Sequence, residues 1–304
     1  MYALTCVVDR PDLATITLAG NDVLSYLHAV CTQHTLDLQP GDATQALLLS
    51  PKGKIEFAFR LAVLDKGVLL DTEADAAPAL AERLARFVFR YDVAVGQPAA
   101  GAASLLGPDA EAALAAAGLP VPAAGRAGVA APDLVVQRTP IGFDLVGPAA
   151  LVVLATLERA GVERAGAEHW EQARVEHGLP RSGRELTDDV LAEEAGLLGS
   201  HVHLDKGCYP GQETVARVHN LGQVQRRLAG LRFQVSGVGG PAALPSPRTD
   251  LVTDDGRRAG QLRSVVDHPR LGPIGLAYVR RVVDTGRLVR AGDHVATVID
   301  LPFE

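Results

Sequence analysis

Apolar and polar positions follow two different periods along this chain, and the switches between them outline its elements. Residues 15–18 alternate, as a strand does, and Val23, Leu24, Leu27 and Cys31 then recur at helical spacing. Gly20-Asn21-Asp22 lies between them, so a helix is expected with Asn21 or Asp22 as its cap. Strands are predicted over 45–49, 55–64, 68–71 and 92–95, with turns at 51–54 and 65–67. An amphipathic helix over 78–89 places Leu80, Leu84, Phe87 and Val88 on one face. The order is strand, helix, three strands, helix, strand, an α+β pattern.

From 97 to 133 the composition shifts to Ala, Gly and Pro, and most of it reads as linker around a short helix over 109–117. Strands at 134–138 and 143–146 and a helix over 148–160 come next, so the first order of elements is loosely repeated. A helix over 170–177 ends at Gly178, residues 201–204 alternate like a strand, and a helix starts near Gln212 and ends near Gly222. Beyond Val224 short alternating runs with turns at Gly230, Gly256, Gly272 and Gly292 predict a small all-β module, with a loop over 236–247. The expected division is 1–97, 98–223 and 224–304.

The 304 residues are enough for two or three domains with real cores. A net charge of −7 argues against a nucleic-acid partner. Three cysteines without a Cys-x-x-Cys form neither a disulfide framework nor a four-cysteine metal site. No apolar run reaches the roughly 20 residues of a membrane span. The expectation is a cytoplasmic protein with no membrane and no bound metal.

Chemistry concentrates at Lys206-Gly207-Cys208-Tyr209-Pro210-Gly211-Gln212-Glu213. Tyr209-Pro210-Gly211-Gln212 fits a type II turn, with Pro at the second position and Gly at the third. The Lys206 ammonium and the N-terminus of the next helix would both favour a thiolate at Cys208. Two readings stand: an accessible, activated thiol, or a cysteine packed beneath a turn that the glycines serve. His28, Cys31 and His34 have a spacing that suits a metal, but Cys31 falls at a core position and reads as packing beside two surface histidines. His201, His203 and Asp205, with Cys208, form a second metal candidate that reads more simply as polar groups lining a cleft. Arg226-Arg227 and Arg280-Arg281 read as solvated strand ends.

The octapeptide resembles the Lys-Gly-Cys-aromatic-x-Gly-Gln-Glu motif of the YgfZ-type folate-binding proteins, relatives of the glycine-cleavage T-protein (aminomethyltransferase). Val215-Ala216-Arg217 and the Gly222 to Leu228 stretch resemble the family's segment C-terminal to that motif, and Trp170 to Gly183 resembles the segment N-terminal to it. The resemblance implies an α+β, T-protein-like fold: two α+β lobes around a central folate pocket, then a C-terminal β-barrel. It implies tetrahydrofolate, or a derivative, as cofactor, and iron–sulfur client proteins or assembly factors as partners. Cys208 is then the essential thiol with Lys206 as its electrostatic partner. Arg174 and Glu176, with Gly207, Tyr209, Gly211, Gln212 and Glu213, are the expected folate-binding set. A carboxylate at Glu176 can accept the adjacent 2-amino and N3–H donors of a pterin; without the resemblance, Arg174 and Glu176 would read as solvated helix charges.

One departure bears on the reaction. The T-protein carries an acidic pair after a Gly-Gly-x-x turn; here Phe57 and Ala58 stand in its place, beside Glu56. The implied function is therefore a tetrahydrofolate-binding accessory to iron–sulfur cluster assembly or repair. The alternative, a folate-dependent aminomethyltransferase or demethylase, needs Glu56 or Asp144 as its acid or base.

Overall fold

The computed structural model describes residues 4–131, 134–222, 224–234 and 244–304. Two compact units divide the chain: residues 1–51, 56–170 and 198–212 form one, and 52–55, 171–197 and 213–304 the other.

The first unit is built from a repeat. Strand, helix, three strands, helix, strand run as Leu13–Ala19, Val23–Val30, Ala43–Leu49, Ile55–Leu64, Gly67–Glu73, Ala77–Ala85 and Ala94–Val95. The same order returns as Ala102–Leu106, Ala110–Ala116, Ala127–Ala131, Leu134–Thr139, Gly142–Val146, Ala150–Arg159 and Glu163–Ala165. In both sheets the spatial order is second, third, fourth, first and fifth strand of the repeat. The second sheet departs once: Cys6–Asp9 lies between its first and fifth strands, antiparallel to Ala102–Leu106 and parallel to Glu163–Ala165.

The helices of the first repeat cover one sheet through Val23, Leu27, Leu80 and Leu84 against Ile16, Leu48, Leu61 and Leu70. Those of the second do the same through Leu114, Leu154 and Leu157. The remaining faces meet in a third cluster that joins Leu13, Ala62 and Leu69 to Ala102, Val135 and Val146. Sandwiched strands carry no alternation. That is why Ala102–Leu106, every residue of which is buried, reads as linker in the sequence.

The second unit holds a closed barrel of six strands: Arg226–Phe233, Gly272–Arg280, Arg258–His268, Asp250–Val252, Leu288–Ala291 and His294–Ile299, in that spatial order. Gly230 is not a turn but lies mid-strand, where a Cβ would come 2.6 Å from the Phe303 ring. The segment 236–243 of the expected loop lies outside the described residues. The C-terminal half of helix Ala167–Glu176 belongs to this unit, where Val175 packs with Val266, Ile274, Leu276 and Phe303.

Three local expectations are corrected. Asp22 occupies the helix cap but makes no capping bond, because its carboxylate accepts the Asp92 amide instead. The second helix stops at Ala85, which leaves Phe87 and Phe89 exposed. Residues 201–204 form no strand: the chain ends a short helix, Leu198–His201, and the Thr32 hydroxyl and carbonyl then bond to His201 and His203.

Candidate functional site

The thiol turn has the expected geometry. Gln212 donates its amide to the Tyr209 carbonyl at 3.2 Å, and Gly211 has φ +83°, the combination of a type II turn. Helix Gln212–Leu221 begins at the next residue. Tyr209 is buried, the Gln212 side chain donates to the Lys206 carbonyl at 3.2 Å, and Cys208 is exposed. Cys6 and Cys31 are both buried. Cys208 therefore does not pack beneath the turn.

Lys206 has a different task from the one its position suggested. It is buried, and its ammonium donates to the carbonyls of His28, of Cys31 at 2.7 Å and of Gln33 at 3.0 Å. These carbonyls lie at and just beyond the C-terminus of helix Val23–Val30, where intrahelical partners run out and the dipole favours a cation. All three ammonium donors are thus engaged, and Lys206 is a clamp between the thiol turn and that helix end. Burial pulls its pKa below the ordinary lysine value, and Cys31 opposes that shift.

Three imidazoles gather beside the turn. The rings of His28 and His34 lie 4.7 Å apart and those of His34 and His203 5.3 Å apart. Burial, then the Lys206 charge, then His34 hold His28 below the usual histidine range. His201 stands apart, with Nδ1 2.8 Å from the Ser200 hydroxyl. Among the described residues no group of three or more His, Cys, Asp or Glu is arranged to hold a metal ion.

Arg174 and Glu176 are not solvated charges; both are buried. The five N–H groups of Arg174 reach Glu171 at 3.0 and 2.6 Å, Ser264 at 2.8 Å, the Leu179 carbonyl at 2.7 Å and Glu185 at 3.1 Å. No donor remains for a ligand, so Arg174 serves to position its helix. Glu176 accepts from Arg270 at Oε1, and its Oε2 lies 3.3 Å from His268 Nε2. His268 Nδ1 accepts the amides of Leu271 at 3.1 Å and Arg270 at 3.3 Å, so the ring proton sits on Nε2, facing Glu176. Burial opposes the charge on Glu176, but Arg270 and His268 hold the carboxyl below its usual range. An ionised carboxylate that already receives a guanidinium fits the donor edge of a pterin, which presents the same N–C–N pattern.

The sequence reading missed a buried polar network in the first unit. Arg60 donates to Asp71 at 2.7 Å and to Asp144 at 2.5 Å. Gln137 donates to Asp71 at 3.0 Å, and Ser104 donates to Asp144 at 2.5 Å. Arg10 donates to Ser104 at 3.0 Å and stacks 3.4 Å from the centre of the Trp170 ring. The available signals were a charge inside the apolar run 55–64 and Asp71 at the end of the next strand. Burial would raise the Asp144 pKa, but Arg60, then Arg10, then the Ser104 hydroxyl hold it below the usual carboxylate range. Glu56 is paired with Arg83 at 3.1 Å.

No protein-family model matches the chain. A putative chloroplastic transferase of Arabidopsis thaliana is 23% identical over 98% of this chain and 71% of its own length. The tRNA-modifying protein YgfZ of Vibrio vulnificus is 28% identical over 82% of the chain and 76% of its own length. The human mitochondrial iron–sulfur cluster assembly factor IBA57 is 32% identical over 44% of the chain, a match that spans only 36% of that protein. Among solved structures, aminomethyltransferase T of the Bartonella henselae glycine cleavage system superposes with a TM-score of 0.86 at 23% identity, over 99% of this chain and 87% of that one. That likeness shows a T-protein-like fold, as expected from the motif.

Proposed function

The chain belongs to the YgfZ-type branch of the aminomethyltransferase-like proteins, and on that premise we propose that it is a tetrahydrofolate-binding accessory protein that supports iron–sulfur cluster assembly or repair through the Cys208 thiol. The observation that carries this reading is the exposed Cys208 on a turn whose neighbouring side chains, Lys206 and Tyr209, are both buried. A reactive atom held on a rigid mount is suited to transient contact with a partner protein. Glu176 receives the pterin in this reading, with Arg174 positioning its helix. The family resemblance also assigns Gly207, Tyr209, Gly211, Gln212 and Glu213 to folate binding; they form the thiol turn and the start of the helix that follows it. Bound folate would supply one-carbon chemistry, and Glu176 would hold its N–H edge.

The transferase alternative is less well supported. It needs a free carboxylate as base, and both candidates are engaged: Asp144 with Arg60 and Ser104, Glu56 with Arg83. Reconstituted maturation of a [4Fe–4S] enzyme, run beside calorimetric titration with 5-formyl-tetrahydrofolate, tests the proposal. Cys208→Ala is expected to bind folate as the wild type does and to lose support of maturation. Equal support by Cys208→Ala removes the thiol from the mechanism, and absence of saturable folate binding removes the cofactor. Formation of methylene-tetrahydrofolate from an aminomethyl donor would restore the transferase alternative.

A further inference from the structure

We propose that the barrel unit carries a binding site for a small phosphate monoester, in a cavity lined by Arg227 and Arg281. The inference is independent of the readings of Cys208 and Glu176. It concerns the two arginine pairs that read from the sequence as solvated strand ends. Arg226 and Arg227 open strand Arg226–Phe233, and Arg280 and Arg281 stand at and just beyond the end of strand Gly272–Arg280.

Antiparallel pairing sets Arg226 opposite Arg280, so all four arginines gather at one end of the barrel. There Val224, Arg226, Arg227, Arg281, Asp284 and Thr285 line a cavity of about 340 Å³. Small-molecule pockets span about 300–1,000 Å³, so this one suits a small organic ligand rather than a length of polymer. The lining arginines differ in what meets their charge. Arg226 is neutralised by Glu194 at 3.1 Å and Asp189 at 3.0 Å. Arg227 is held by neutral acceptors, the Val283 carbonyl at 3.1 Å and the Thr285 hydroxyl at 3.2 Å, and Thr285 is itself fixed by its bond to Asp300 at 2.6 Å. Among the described residues the Arg281 side chain makes no hydrogen bond or ion pair, and Asp284 makes no ion pair. Positive charge is therefore in excess around the cavity. A guanidinium docks along an edge of two oxygens. A carboxylate group offers one such edge and a tetrahedral phosphate several, so two arginines lining one cavity favour phosphate. A phosphate monoester also brings a charge of about −1.5 to −2 at pH 7, which answers both guanidinium groups. Val224 supplies an apolar wall for its organic part.

Calorimetric titration of the full-length protein with glycerol 3-phosphate, and with glutarate at equal pH and ionic strength, tests the site. The variants are Arg281→Ala, Asp284→Asn and Arg290→Ala; Arg290 is an exposed barrel arginine that does not line the cavity. Arg281 is exposed, so its truncation leaves the barrel core intact. Saturable binding of glycerol 3-phosphate is expected, about tenfold weaker in Arg281→Ala through loss of a charge-assisted bond. Asp284→Asn should bind about two- to fivefold more tightly, because a like charge leaves the cavity wall; a merely structural role for these residues would not produce that gain. Arg290→Ala should bind as the wild type does. Absence of saturable binding, binding that Arg281→Ala leaves unchanged, or equal losses in Arg281→Ala and Arg290→Ala would overturn the site. Glutarate binding as tightly as glycerol 3-phosphate would overturn the assignment to phosphate.

Discussion

Replacing Lys206 by Met separates two roles for that residue. As a clamp, the ammonium makes three charge-assisted bonds to carbonyls at the end of helix Val23–Val30. Each such bond is worth about 1.5–3 kcal/mol, and the desolvation of the buried ammonium, several kcal/mol, offsets part of their sum. Met keeps most of the aliphatic stem, so packing against Tyr209 changes little. The net loss expected is about 2–4 kcal/mol, because three carbonyls lose their donors at once. Thermal unfolding followed by circular dichroism reads the loss, and iodoacetamide labelling of Cys208 at fixed pH reads the turn. A clamp predicts a lower midpoint together with equal or faster labelling, since the turn loosens around an already exposed thiol. An electrostatic partner of the thiol predicts the reverse: an unchanged midpoint and slower labelling. That second pattern would refute the clamp.

The remaining predictions concern pH, buried charge and backbone. Burial lowers the His201 pKa from the ordinary 6.5 to about 4. Between those values the unfolded chain binds a proton that the folded one does not, so stability is whole above 6.5 and falls as the pH drops toward 4, by on the order of 2–3 kcal/mol. Urea midpoints measured across that range should flatten in His201→Gln; an unchanged slope would show that another group carries the dependence. Arg174→Met leaves the fully buried Glu185 without its cation and should cost about 3–5 kcal/mol, read as a shift in the urea midpoint. Gly211→Ala places a Cβ at φ +83° and should cost about 1–2 kcal/mol. Gly207→Ala meets only His28 Nε2, at 3.9 Å, and should leave stability within about 0.5 kcal/mol. A functional defect in Gly207→Ala at unchanged stability would then report on what must approach the thiol.

The elements most legible in the sequence were those with one wet face or a punctuated end. The hairpin Ile55–Leu64 to Gly67–Glu73, the helix Val23–Val30 and the type II turn at Pro210-Gly211 all announce themselves through period or turn chemistry. Ala102–Leu106 did not, because a strand buried on both faces has no period and an alanine-rich one resembles a linker. The direction of the Lys206 side chain was equally illegible: proximity to Cys208 in sequence suggested a partnership, whereas the acceptors come from residues some 170 positions away. The His268 and Arg270 partners of Glu176 lie more than 90 positions along the chain, and nothing local marks them.

The repeat explains why the acidic groups of the first unit are poorly placed for catalysis. Arg60 and Asp71 come from the first repeat, and Ser104, Gln137 and Asp144 from the second. Packing the two sheets face to face buries these polar groups, and each then needs partners from the opposite sheet to avoid the penalty of an unpaired buried charge. Asp144 meets that need with Arg60 of the opposite sheet and adds Ser104 of its own, and Asp71 meets it with Gln137 and adds Arg60 of its own. An aspartate so fixed is a joint between repeats rather than a base. Replacing it removes a structural bond before it removes any chemistry. Cys208 is in the opposite position: its mount is held from behind by Lys206 and Tyr209, while the thiol itself stays in solvent. The same unit thus binds its carboxylates into the architecture and presents its sulfur outward, which favours an accessory thiol over acid–base transfer.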